Sequence, residues 1–224
     1  SMGMSFSVAC DRAIANMIAE MGDEAAWDRI GVEDGVPQFY VSNWSSVNHA
    51  AGIFNRSFAN LPCKGTTILF PISKDKLIVT GSESAVGLAA VVAEWEQNPY
   101  LLPPFGLVYN DGVLSVWEPP ITNLAYTSLQ KHKNLYLNSL YGEQCNAMRA
   151  NLPDADLYFP AKFMLAQTAD GTLLSRGTVT QGVQSTSLPV ADFVHFIAMD
   201  PGGMNGREVA YAPWAAYDGT SCDG

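Results

Sequence analysis

The stretch from Gly65 to Pro120 constrains the fold more than any other part of the chain, because strand periodicity, turn residues and a capped helix succeed one another there without interruption. Residues Thr66 to Ile72 place Ile68, Phe70 and Ile72 on one face of a strand, and Ser73-Lys74-Asp75 turns the chain. Lys76 to Thr80 returns with Leu77, Ile78 and Val79 apolar on both faces, the composition of a central strand. Gly81-Ser82-Glu83-Ser84 breaks the strand, and Ser82 or Ser84 can cap a helix with Val86, Ala89, Ala90, Ala93 and Trp95 as its packing stripe. Asn98-Pro99 ends that helix. A second hairpin joins residues 105–109 to 113–117 through Asp111-Gly112, a pair that accepts the positive φ angles of a tight turn.

The flanking sequence adds helices before and strands after this module. Val8, Ile14, Met17, Ile18 and Met21 follow the helical period over 7–21, with Ser7 as a cap. Asp23 is expected to start a short second helix containing Ala25, Ala26, Trp27 and Ile30, followed by a turn over Gly31 to Gly35. Val36 to Ser42 has strand composition, with Pro37 restricting it to an edge or a strand start. Asn43 to Phe58 reads as a weak helix stopped by Leu61-Pro62. Residues 121–152 are the longest helical region, with a break expected near His132-Lys133-Asn134 and a weak point at Gly142. Strands follow at 157–159 and 162–167, then a hairpin at Asp170-Gly171 returns over 172–181. A buried strand is expected at 192–199 and a last one at 208–214.

These elements predict an α+β fold: a mixed or antiparallel sheet built of hairpins, with packing helices and an N-terminal helical segment. The expected organisation is one domain over 1–224, divided into a helical cap (1–35), a first β-α-β module (36–120), a helix (121–152) and C-terminal strands (153–216).

Charge narrows the partners. Twelve basic against twenty-two acidic residues give a formal charge of −10, which repels nucleic acid and anionic membrane surfaces and favours a neutral-to-basic protein. Only 15% of residues are charged, so much of the surface is uncharged, which favours self-association as a homo-oligomer. The four cysteines, Cys10, Cys63, Cys145 and Cys222, lack metal or redox spacing and read as reduced thiols. With no apolar run long enough for a membrane span and no leader pattern at Ser1 to Ser5, the expected location is the cytoplasm.

No motif prescribes catalysis, a metal or a cofactor. His49, His132 and His195 are far apart in sequence, and Asp154 with Asp156 reads as a solvated turn. Gly81-Ser82-Glu83-Ser84-Ala85 lies between strand and helix without nucleophile-elbow spacing. Gly202 to Gly206 has a phosphate-loop composition without its Lys-Ser/Thr ending, although Arg207 beside it suits an anion. A cysteine enzyme would draw on Cys145, His195 and Asp192 as thiol, base and orienting carboxylate. Asp192 and His195, three apart on one strand, would then face opposite ways, and Cys145 on an apolar helix face reads as core. Trp117 and Trp214, near strand ends, are the aromatic candidates for contact with a partner, with Arg207 beside them as a binding candidate.

Residues Leu69 to Gly87, through Pro71, Ser73-Lys74-Asp75 and Leu77-Ile78-Val79-Thr80-Gly81, together with Leu188-Pro189-Val190-Ala191-Asp192, are similar to a pattern in bacterial proteins of the YtpQ-like type. The resemblance implies a bacterial intracellular protein and carries over no catalytic residue. The sequence thus leads to a non-catalytic acidic protein that acts by protein-protein binding, in the manner of an immunity protein or antitoxin. The alternative is a small-molecule-binding protein or hydrolase with a Cys/His pocket.

Overall fold

The computed structural model describes residues 5–21, 27–42, 53, 57–98, 102–111, 113–151, 159–180, 186–199 and 206–216. The fold is α+β, and the chain divides into two compact units, Ser1–Leu129 and Gln130–Gly224.

The first unit holds a six-stranded antiparallel sheet in the order β1-β2-β4-β3-β5-β6. Its strands are β1 (Trp27–Glu33), β2 (Val36–Ser42), β3 (Thr67–Ser73), β4 (Lys76–Gly81), β5 (Gly106–Asn110) and β6 (Val113–Trp117). Among the described residues two helices lie wholly within this unit: α1 (Phe6–Met21), whose backbone begins with Val8 N donating to Ser5 Oγ at 3.3 Å, and α2 (Ala85–Gln97). The helix cap is therefore Ser5 rather than Ser7.

Trp27 to Glu33 overturns the expected second helix. It is a strand, paired antiparallel with β2 from Trp27–Ser42 to Glu33–Val36. Asp34 (φ 53°) and Gly35 (φ 79°) close this hairpin with two left-handed residues, the chemistry recognised at Asp111-Gly112, where Asp111 has φ 49°. Pro37 sits at the start of β2, beyond the Phe39–Val41 segment that pairs with β4, so its missing donor costs no bond to that neighbour. The helix expected over 43–58 falls mostly outside the described residues, and Ser57–Asn60 form a 3-10 turn.

The central strands β3 and β4 are buried on both faces of this sheet. Ile68, Phe70, Ile72 and Ile78 pack with Leu88, Val91 and Trp95 of α2. Leu69, Leu77, Val79 and Tyr40 pack on the other face with Phe58 of the 3-10 turn. Phe70 meets Trp95 edge-on at 5.7 Å and Trp117 at 6.2 Å. The helix presents Gly87, Leu88, Val91 and Trp95 inward, while Val86 is 55% exposed, so its stripe is rotated from the one expected. Gly87 is the reason. A methyl there would overlap Thr80 Oγ1 and the Gln38 carbonyl, so only glycine allows the first turn of α2 to sit on β2 and β4. Ser84 caps the helix, accepting from Gly87 N at 3.1 Å, and is itself 2% exposed, with its hydroxyl 2.9 Å from the Gln38 carbonyl oxygen.

One helix, α3 (Tyr126–Asn151), runs without the expected break at 132–134 and through Gly142. Leu129, Gln130, His132 and Asn134 are all buried, so the helix is packed on more than one side through that stretch and packing outweighs the weak local propensity. The second unit contains the rest of α3 and the strands β7 (Phe159–Pro160), β8 (Met164–Gln167), β9 (Leu173–Thr180), β10 (Thr186–Ser187), β11 (Phe193–Met199) and β12 (Gly206–Pro213). Strands β7 and β10 form a small parallel pair, and the others form a four-stranded sheet in the order β12-β11-β9-β8. Its β9 and β11 run parallel, and the other two pairings are antiparallel. The Asp170-Gly171 hairpin forms as expected, with Gly171 at φ 86°.

Candidate functional site

Strand periodicity sorts the four-stranded sheet into two faces. Register opposes Met164 and Phe193 to Arg176, Ala166 to Leu174, and both Thr178 and Tyr211 to His195. All of these side chains belong to one face. The other face carries Ser175 and Gly177 of β9 and Val194 of β11, all buried. Only Val194 of β11 is fully buried, so the strand expected to be buried is half-open, with Phe193 and His195 half-buried on the first face.

That half-open face carries a cleft of about 250 Å³ lined by Ala166, Leu174, Arg176, Phe193, His195 and Tyr211, with Ser175 between Leu174 and Arg176 also bordering it. His195 and Tyr211 lie nearly parallel with ring centroids 5.9 Å apart, and Phe193 meets Tyr211 edge-on at 6.2 Å. Tyr211 is 66% exposed and forms an outer wall. Arg176 is the cationic member. Its Nε is shut off from solvent and has no hydrogen-bond partner among the described residues. Thr178, next on the same face of β9, has its Oγ1 buried and unpartnered among the described residues as well.

The opposite face ties down the carboxylate considered for catalysis. Asp192 Oδ2 accepts from Ser175 N and Ser175 Oγ at 2.7 Å each and from Asn134 Nδ2 at 3.4 Å. Asp192 N donates back to Ser175 Oγ at 3.0 Å, and its carbonyl accepts from Trp214 N at 2.9 Å. This reciprocal clasp fixes the start of β11 against β9. Cys145 is 6% exposed on α3 and its thiol faces the Pro160 carbonyl at 3.5 Å.

The sequence candidates thus occupy separate settings. His195 is in the cleft, Asp192 is in the clasp, and Cys145 is held beside Pro160. Trp214 is half-buried in a 3-10 turn after β12. Arg207 lies on β12 opposite Ala198, with its side chain outside the described residues, as is the glycine-rich loop over 201–205. Trp117 belongs to the first unit. It packs on Phe70 and borders a cleft of about 450 Å³ with Ser82, Glu83 and Asn123, where Asn123 Nδ2 donates to Ser82 O at 2.8 Å.

Arg176, Phe193 and Tyr211 went unnoticed in the sequence because each looks unremarkable alone. The signal that finds them is parity. Leu174, Arg176 and Thr178 alternate along β9, as do Phe193 and His195 along β11, and register alone brings the two sets together.

Among the described residues no group of three or more His, Cys, Asp or Glu side chains is arranged to hold a metal ion, and no helix is long and apolar enough to cross a membrane. Compared with family models, curated proteins and solved structures, the chain matches none.

Proposed function

We propose that this chain is a binding protein that holds a small ligand on the half-open face of its C-terminal sheet and performs no chemistry on it. The observation that carries this reading is the convergence of Phe193, His195, Tyr211 and Arg176 in one concave patch. The groups best suited to chemistry are engaged in structure: Asp192 binds Ser175 and Asn134, and Cys145 faces a backbone carbonyl.

The test is a screen of neutral aromatic fragments followed by amide chemical shifts of the whole chain. Shifts are expected to gather at residues 166, 174–176, 193–195 and 211, and to vanish in Tyr211→Ala. Hits that gather elsewhere, or that survive this substitution, refute the reading.

A second reading, association with a neutral-to-basic protein or with another copy of the chain, is favoured by the −10 charge and by Phe6 and Val8 of α1, which are 86% and 52% exposed. Light scattering across a hundredfold range of concentration tests self-association. A constant monomer mass sinks that arm, and failure to retain basic proteins from the source cell sinks the other.

A further inference from the structure

We infer that the cleft of the C-terminal sheet takes a small apolar monocarboxylate, with the carboxylate on Arg176 and the apolar body against Phe193, Leu174 and Tyr211. The inference rests on the ligand-binding reading above and adds the chemical class.

Arg176 carries a buried donor, its Nε, without a partner among the described residues. A buried donor without an acceptor is costly, the more so when it belongs to a charged group, so native chains rarely leave one. This chain has twenty-two carboxylates to offer, yet none of the described ones lies within ion-pair distance of Arg176. Arg176 instead stands in mid-sheet, with Met164 and Phe193 as its register partners on the neighbouring strands. Its fork of donors matches a carboxylate in two-point contact. The hydroxyl of Thr178, also buried and unpartnered among the described residues, is next on the same face of β9 and lies outside the cleft lining.

The remaining walls set the rest of the ligand. Leu174, Ala166 and Phe193 are apolar, and Tyr211 with His195 offers a flat stacked surface. One cation among apolar walls suits a single negative charge rather than the double charge of a phosphate monoester. The −10 field of the whole chain repels a polyanion far more than it repels one small acid. The small volume favours a free acid of roughly phenylalkanoate size over a folded partner.

The test pairs two probes of equal shape, 4-phenylbutyrate and 4-phenylbutanamide, titrated into the full chain and followed by amide shifts and calorimetry. The acid is expected to bind about tenfold to a hundredfold more tightly than the amide, the range of a two-point charged hydrogen bond. Arg176→Gln should erase that preference, and Arg176→Lys, which keeps the charge but loses the fork, should retain only part of it. Arg176→Met serves as the folding control. If Arg176 waits for a ligand, this variant melts no lower than the parent, whereas a lower melting temperature shows a structural arginine and overturns the inference. Equal binding of acid and amide in the cleft also overturns the inference while leaving the ligand-binding reading intact. If neither probe shifts the cleft residues, the carboxylate inference falls, and the neutral fragment screen then decides the broader reading by itself.

Discussion

Replacing Asp192 by alanine removes the acceptor at the centre of the clasp that joins β9 to β11. Three donors converge on one oxygen, Oδ2, and two of them come from Ser175, which is 2% exposed. After the substitution Ser175 Oγ still accepts from the backbone at 192, and Asn134 still donates to the Leu173 carbonyl at 2.7 Å. The Ser175 N–H and Oγ–H both lose their acceptor. Two orphaned donors on a buried residue, at the low end of the range for each, give about 3 kcal/mol. Asp192→Asn behaves differently, because a single amide oxygen can occupy the Oδ2 position and keep all three contacts at neutral strength, for a cost of about 1 kcal/mol. Cys145, 6% exposed in the same unit, provides the assay: its alkylation, read by peptide mass mapping under native conditions, reports how often the unit opens. Labelling should rise about a hundredfold in the alanine variant and about fivefold in the asparagine variant, at about 1.4 kcal/mol per tenfold. If both variants label alike, or neither exceeds twofold, the clasp does not hold the unit together and the reasoning is wrong.

Further expectations concern the first unit. Gly87→Ala forces a methyl into Thr80 and the Gln38 backbone, so α2 must lift from the sheet; a loss of several kcal/mol is expected in urea unfolding, and a loss under 1 kcal/mol would refute the close approach. Burial raises the Tyr40 phenol above its usual pKa, and burial likewise raises the Cys63 thiol. The unfolded chain therefore ionises first, so stability is complete below the ordinary values of about 9 and 10 and falls as the pH rises through and beyond them. Tyr40→Phe, which also removes the 2.8 Å bond to the Pro62 carbonyl, should flatten the upper part of that decline in urea unfolding measured from pH 8 to 11, and an unchanged slope would refute the assignment.

How much of this was legible in the sequence depended on whether the deciding physics was local. Residues 66–117 could be read element by element because alternation, Ser84 and Asp111-Gly112 each act within a few residues. The hairpin of β1 and β2 carried the same kind of marker at Asp34-Gly35, but Ala25, Ala26 and Trp27 suggested a helix and obscured it. The face of α2 was misjudged because the choice between Val86 and Leu88 is set by Gly87 meeting Thr80 and Gln38, contacts that no local window contains. The cleft was hidden for a related reason. Its members come from β8, β9, β11 and β12, and the parallel pairing of β9 with β11 has no hairpin signature to announce which residues stand opposite.

That parallel pair bears on how the chain is made. In the first unit β1 with β2, β3 with β4, and β5 with β6 each close through a short turn as soon as both strands have left the ribosome. Strand β9 cannot complete its second edge until the chain has run through 181–192 and brought in Phe193 to Met199. Until then Leu173 to Thr180 presents an open ladder, and any truncated product ending before Phe193 keeps it. Such fragments should be the aggregating species in expression of this chain, and supplying residues 188–216 as a separate peptide should suppress their precipitation by filling the missing edge.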